Sequence, residues 1–361
     1  MNLLNQGFDH VEFVVDDLAA QKALYERMGF TQTGARKLPH RGTESILMAQ
    51  GYVRILLTKG DGSAQSEKNE AVIFRKNHAE GVCVLALEVD DAAAAYQEVM
   101  ARGARSAAAP EVFETPEGQV VRAEIWTPAD VRYRLISRKS PAGENAPALF
   151  DEGLVVSALK APSPNGIYRI DHLTNNVSMG EMKNWVAYYQ QIFGFHVSRH
   201  FDIRTGRTGL TSDVIESPCR RVKVPINEAT EAQSQVQEFV DRMKGAGVQH
   251  LALETTGLID TLKALRSQSF QFLTVPHTYY EVVPTRVPGV TEDLGELEEL
   301  GILLDGEGEG YLLQIFSQEI LGPFFFEYIQ RKGNQGFGEG NFRALFEAIE
   351  RDQIRRGVLK A

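Results

Sequence analysis

One pattern occurs twice in this chain, and no other feature restricts the possible folds as much. Ile170-Asp171-His172-Leu173 repeats Phe8-Asp9-His10-Val11. Gly247-Val248-Gln249-His250-Leu251-Ala252-Leu253-Glu254 repeats Gly81-Val82-Cys83-Val84-Leu85-Ala86-Leu87-Glu88 at six of eight positions. Leu313-Gln314-Ile315-Phe316-Ser317 follows Ala123-Glu124-Ile125-Trp126-Thr127 in pattern, and Phe326 to Arg331 follows Tyr133 to Arg138. Apolar runs of this length between turn residues read as buried strands. A helix follows the first strand of each half. One is capped by Asp16 or Asp17 and ends at Gly29-Phe30. The other carries Trp185, Tyr188, Tyr189 and Ile192 at i, i+3, i+4, i+7 and ends at Gly194-Phe195. The fold class is α+β, one β-strand/helix/β-strand series used twice.

Length agrees, since 361 residues correspond to two domains at about 150 residues each. Residues 138–168 carry Ser140, Pro141, Gly143, Pro147, Pro162, Pro164 and Gly166, a linker composition with one candidate strand at 153–159. The expected domains are 1–152 and 153–361. A formal charge of -10 argues against nucleic-acid and anionic-membrane partners. The first residues lack a basic region followed by an apolar run, so no secretory leader is expected. No stretch approaches the ~20 apolar residues that span a bilayer. Cys83 and Cys219 form neither a disulfide framework nor a zinc-thiolate pattern, which favours a reducing, cytoplasmic setting.

The repeat also acts as an internal control. Phe324-Phe325-Phe326-Glu327-Tyr328-Ile329 reads as a strand buried on both faces, with a carboxylate in its middle. A buried carboxylate needs a pairing cation or a metal. Strand alternation turns Phe325 the same way as Glu327, and Phe324 and Phe326 the other way. The repeat aligns His172, His250 and Glu327 with His10, Val84 and Arg134. Valine binds no metal, and a permanently charged guanidinium repels one. A lone histidine on an apolar strand is as readily a core residue as a ligand. Two histidines and a glutamate at matched points of a repeat, in one half only, point to a metal site. Two imidazoles and a carboxylate suit non-haem Fe(II) and also hydrolytic zinc. There is no HExxH spacing to separate them.

The second half resembles the 4-hydroxyphenylpyruvate dioxygenase family of the vicinal-oxygen-chelate fold. The resemblance rests on Ile170 to Val177, Gly209-Leu210-Thr211-Ser212, Pro225-Ile226-Asn227-Glu228, Gly247 to Leu253, Leu312 to Phe316, Phe325 to Arg331, and Gly336-Phe337-Gly338-Glu339-Gly340-Asn341-Phe342 running on to Glu350. It implies two tandem vicinal-oxygen-chelate domains, each of paired βαβββ modules forming an open barrel, and Fe(II) on His172, His250 and Glu327. The implied reaction takes 4-hydroxyphenylpyruvate and O2 to homogentisate and CO2, in tyrosine and phenylalanine catabolism. Phe337 and Phe342 match the family's ring-sandwiching aromatics. Ser212, Asn227, Gln235 and Gln314 match its polar groups around the substrate. Phe325, Phe316, Gln249 and Asn341 complete the expected pocket, although strand alternation points Gln249 away from His250. The resemblance to bacterial enzymes of the family also implies a homo-oligomer, a dimer or a tetramer. Two alternatives share the fold: 4-hydroxymandelate synthase, with the same ligands and substrate, and a non-catalytic small-molecule-binding protein.

Phe342, Leu345, Phe346 and Ile349 fall at i, i+3, i+4, i+7, an amphipathic helix with Asn341 as N-cap. Behind the glycines at 333–340 it is expected to lie over the active-site barrel as a lid. Asp305 to Gly310 reads as a hairpin turn, without the ligand pattern of a calcium loop. Arg351, Arg355 and Arg356 read as a solvated helix end.

Overall fold

The computed structural model describes residues 3–140, 146–204, 209–307, 310–341 and 344. Phe342, the remainder of the expected lid helix and Arg351, Arg355 and Arg356 lie outside the described residues.

The first half holds β1 (Leu3–Val14), β2 (Thr31–Leu38), β3 (Thr43–Gln50), β4 (Val53–Gly60), β5 (Gly81–Val89), β6 (Arg105–Thr115), β7 (Gly118–Trp126) and β8 (Arg132–Lys139). They form one curled sheet in the order β2-β3-β4-β1-β5-β8-β7-β6. Helix α1 (Leu18–Arg27) follows β1, α2 (Glu70–Asn77) precedes β5, and α3 (Ala92–Ala101) follows β5. The cap of α1 is one of the two the sequence offers, and α3 is capped in the same way. Asp17 accepts from the Ala19 and Ala20 amides, and Asp91 from the Ala94 amide, which satisfies amides that a helix start leaves open.

The second half repeats this. A short hairpin, β9 (Ala148–Asp151) and β10 (Leu154–Val156), lies between the two. Then β11 (Ile167–Val177), β12 (His196–Arg204), β13 (Gly209–Glu216), β14 (Lys223–Ala229), β15 (Gly247–Thr255), β16 (Leu303–Glu307), β17 (Gly310–Phe316) and β18 (Phe325–Lys332) form a sheet in the order β12-β13-β14-β11-β15-β18-β17-β16. Helix α4 (Met182–Tyr188) passes into a π-helical turn, Tyr189–Phe193, and stops at Gly194, whose φ of 69° is left-handed and costs glycine little. Helices α5 (Gln235–Met243) and α6 (Leu258–Ser267) flank β15 in the chain. The expected hairpin is present, but Asp305 belongs to its first arm rather than its turn, in β16 antiparallel to β17. Among the described residues no helix is long and apolar enough to cross a membrane.

The two sheets are therefore each a pair of βαβββ modules, joined through β1–β5 and β11–β15, as expected for tandem vicinal-oxygen-chelate domains. Their registers coincide residue by residue. His10 lies opposite Ala86, which pairs with Arg134. His172 lies opposite Ala252, which pairs with Glu327. The outer faces of the halves meet in one core. The ring of Phe324 meets that of Phe13 edge-on at 4.9 Å, Phe326 meets Tyr25 at 6.1 Å, and the Tyr133 and Tyr189 hydroxyls are 3.0 Å apart. Phe324 and Phe326 thus face away from the Glu327 side of β18.

At the β9–β10 hairpin the sequence predicts a linker, with a strand at 153–159 and a domain boundary between 152 and 153. That boundary falls in the hairpin's turn. Both arms pack on the first sheet, with Phe150, Leu154 and Val156 against Leu47 and Leu56. Asp151 accepts from Arg36, Arg122 and Arg134 inside the first barrel. On packing grounds we place the division after Val156.

Candidate metal centre

Three neighbouring strands bring the site together. His172 sits on β11, His250 on β15 and Glu327 on β18, and one ligand atom from each lies within 4.8 Å of the other two. The Glu327 Oε2 atom is 3.3 Å from His172 Nε2 and 3.4 Å from His250 Nε2. His172 and Glu327 are each 2% exposed.

The other ring nitrogens fix the tautomers. His172 Nδ1 faces Asp171 Oδ2 at 2.7 Å, and His250 Nδ1 faces Gln249 Oε1 at 3.1 Å. Both acceptors hold the proton on Nδ1, so both Nε2 lone pairs face the carboxylate. Thr174 Oγ1 lies 3.0 Å from His250 Nε2, as a hydroxyl donating to a lone pair would. Glu327 Oε1 is buried and finds no hydrogen-bond donor among the described residues. Acceptors converge on one point, which asks for a cation. The donor set fits a divalent metal ion, with His172, His250 and Glu327 as its protein ligands.

In the metal-free fold a proton on the imidazoles stands in for that cation and is held by the carboxylates. Burial would raise the Glu327 pKa, but the two imidazoles bring it down to about 2. Burial alone would lower His172, yet the Glu327 and Asp171 carboxylates outweigh it and raise this imidazole. In His250 burial wins over Glu327 and the pKa falls. Asp171 is itself clamped, taking Arg331 Nε on Oδ1 at 2.8 Å and Nη2 on Oδ2 at 2.6 Å. The same chain stands in the first half, where Arg138 binds Asp9 through two nitrogens and Asp9 accepts from His10 Nδ1 at 2.6 Å. There, however, the Arg134 guanidinium fills the position of Glu327. It gives Nε to Glu124 (2.7 Å) and Nη2 to Glu12 (2.9 Å), and Nη1 reaches Asp151 (3.2 Å) and His10 Nε2 (3.1 Å). One barrel has a built-in cation where the other has room for one.

A largely apolar cavity opens beside the triad. Ser212, Asn227, Phe316 and Phe337, four of the residues that the resemblance places around a substrate, line it. Phe337 meets the His172 ring edge-on at 5.1 Å. Phe325 does not line the cavity; it stacks on His250 at 4.9 Å and so braces the ligand ring. Gln314 is fully buried two residues before Phe316, under Gly338, with neither amide atom partnered among the described residues. Gln249 supports His250 rather than pointing away from it. The two other placements differ more. Gln235 is the exposed first residue of α5, on the barrel's outside, because Val236, Phe239, Val240 and Met243 form the helix's buried face. Asn341 does not reach the cavity. Its Oδ1 accepts from Tyr279 Oη and Arg286 Nη2, both at 2.6 Å. It also lies within helical residues 339–341 rather than capping them.

Thr174, Phe201, Ile203, Pro225 and Glu339 line the cavity too and were not expected. Alternation held the signal for two of them: Thr174 lies two residues after His172, and Pro225 two before Asn227. Asp171 gives a direct test of the support around the ligands. Asp171→Asn should keep the fold but release the His172 tautomer, weakening metal affinity by roughly 10–100-fold. Chelator competition measures this, and unchanged affinity would show that Asp171 serves only as a fold staple, as Asp9 does.

Comparison with known proteins bears on the same residues. Residues 2–120 match the family model described as hydroxyphenylpyruvate dioxygenase, N-terminal, and residues 169–282 that of the glyoxalase/bleomycin resistance protein/dioxygenase superfamily. The 4-hydroxyphenylpyruvate dioxygenase of Pseudomonas aeruginosa is 39% identical over 360 residues, covering 98% of this chain and 96% of the relative. That of Legionella pneumophila is 38% identical over 359 residues at the same coverages. A Vibrio vulnificus protein named hemolysin VllY is 39% identical, again over 98% of this chain and 96% of its own length. Among solved structures, a mutant 4-hydroxymandelate synthase from Streptomyces coelicolor superposes with a TM-score of 0.80 over 96% of this chain and 99% of that one. At 22% identity that likeness speaks to the fold alone.

Proposed function

The chain belongs to the 4-hydroxyphenylpyruvate dioxygenase family, and from that premise we propose that it converts 4-hydroxyphenylpyruvate and O2 to homogentisate and CO2 at an Fe(II) ion held by His172, His250 and Glu327. The supporting observation is the convergence of two imidazole lone pairs and a buried carboxylate at the end of an aromatic-lined cavity. Fe(II) in a two-histidine, one-carboxylate setting leaves positions open for a 2-oxo acid and for activating O2. The two free cysteines agree with a reducing, cytoplasmic setting.

The chain's own residues bind, orient and exclude. Phe316 and Phe337 offer apolar faces to the phenol ring. Ser212 and Asn227 offer hydrogen bonds on the opposite wall. The Thr174 hydroxyl, free to turn once His250 Nε2 is a ligand, can donate to a carboxylate oxygen of the keto acid. Phe337 is held against His172 by its segment: Arg331 Nη1 donates to the Asn334 and Gly336 carbonyls, and Arg199 pairs with Glu339 at 3.0 Å. That segment shields the cavity from water, which strengthens each polar contact inside.

The test is product analysis. The purified protein is loaded anaerobically with Fe(II), then given 4-hydroxyphenylpyruvate and O2. Homogentisate is the expected product. 4-Hydroxymandelate would move the attack from the ring to the benzylic carbon, and metal-loaded protein without turnover would favour a binding protein.

A further inference from the structure

The first barrel keeps a cavity at the place where the second holds its substrate, and the residues around it have changed chemistry. Pairing register sets the correspondence. Thr58 and Asn227 occupy the same position on β4 and β14, each opposite a serine, Ser45 or Ser212. Next outward, Arg36 stands where Phe201 stands, each paired to that serine. Glu124 takes the place of Phe316, each paired to the β8 or β18 residue at the metal position, so the register corrects by two residues the sequence match that sets Phe316 against Trp126. Thr58, Arg36, Glu124 and Arg134 line one cavity, as Asn227, Phe201, Phe316 and Glu327 line the other. An aromatic pocket with a metal has become a polar pocket with a guanidinium.

We infer that this first-barrel cavity is a second ligand site, taking a small oxyanion, phosphate or a short carboxylate, on the spare N–H groups of Arg36 and Arg132. Five arginines and four glutamates line it, and Asp151 and Glu152 lie just behind. Net charge therefore does not choose the ligand; unused directed donors do. Three of the four wall glutamates are already engaged, all but Glu70 at the start of α2. Glu12 and Glu124 accept from Arg134, and Glu111 from Arg41 and Arg122. Arg36 gives Nη1 to Asp151 and to the Glu152 carbonyl, but its buried Nε has no acceptor among the described residues. Arg132 bonds Glu124 through Nη1 at 2.7 Å, and its other nitrogens have no acceptor among the described residues. A guanidinium edge left open in a cavity matches an oxyanion. At about 130 Å³ the space is near the ~150 Å³ that accepts benzene, so the ligand has a handful of heavy atoms and no extended ring system.

Titration calorimetry of the intact protein with inorganic phosphate, and separately with propionate, tests the site and identifies the anion. One of the two should bind with one-to-one stoichiometry. Arg36→Met should weaken that binding at least about tenfold. Because Arg36 also makes ion pairs, Ala108→Phe provides a second variant. Ala108 lines the cavity, pairs with Glu124 across the sheet and makes no ion pair, so its ring fills the space while every charge stays. It should weaken binding as much, with turnover in the other barrel unchanged. No binding of either anion, or full affinity in Ala108→Phe, overturns the site.

Discussion

A Glu327→Gln variant is expected to lose its metal and its turnover together. The amide keeps the shape of the carboxylate but removes the charge that the two imidazoles hold at a pKa of about 2. It also turns an acceptor-only group into one that presents N–H donors to the metal. Because supporting groups alone alter affinity by 10–100-fold, loss of a ligand should exceed about 100-fold. Metal content after gel filtration and chelator competition report affinity, and product formation reports turnover. Near-UV circular dichroism should remain native, since the site lies within a sheet built by backbone pairing. Wild-type metal content would remove Glu327 from the ligand set. The wild type adds a pH signature. Metal and proton compete for His172 Nε2, and the His172 pKa is raised in the metal-free fold. Metal affinity should therefore begin to fall, as pH drops, above the ordinary imidazole value of about 6.5, with Glu327 still ionised.

Arg134→Met should destabilise the protein more than any single change in the metal half. Arg134 is 4% exposed and serves three carboxylates, Glu12, Glu124 and Asp151. Removing it leaves those charges buried and short of a partner, a loss of about 3–5 kcal/mol. Urea unfolding followed by fluorescence should show the lowered midpoint. Metal affinity in the folded variant should match the wild type, because the ligands belong to the other sheet. Stability within about 0.5 kcal/mol of wild type would mean that Arg122 and Arg132 carry the charge without it. The test also separates two views of the first barrel, as a stabilising partner or as a spare copy.

Much of this organisation is legible in the sequence because strand burial has a period of two and the repeat preserves it. His172, His250 and Glu327 stand out because their counterparts His10, Val84 and Arg134 cannot hold a metal together. The interior of the first barrel is harder to read. Arg36, Arg122, Arg132 and Arg134 look like the polar face of half-exposed strands, and only closure of the sheet puts them inside. The β9–β10 hairpin is missed for a related reason. Its prolines and glycines resemble a linker, and Phe150 and Asp151 acquire their meaning only next to His10 and Arg134. Gln235 and Asn341 show the limit of transferring a role by motif. Each lies near the expected place in sequence, but a helix face or a tyrosine–arginine clamp turns it elsewhere.

In each half, the segment just after the last strand folds back and closes the barrel. Residues 148–156 bring Phe150 within 5.2 Å of His10, and the stretch after β18 brings Phe337 to His172. This sets a timetable for synthesis. The charged barrel has all its parts once residue 156 has emerged. The metal barrel must wait for Phe337, roughly 180 residues later, or about 10–40 s at ribosomal rates of ~5–20 residues per second. Through that interval Phe13 and Tyr25 lack the covering rings of Phe324 and Phe326. The nascent chain thus exposes an apolar face while its metal ligands are still arriving, and that face is where a chaperone would bind and where a stalled chain would aggregate.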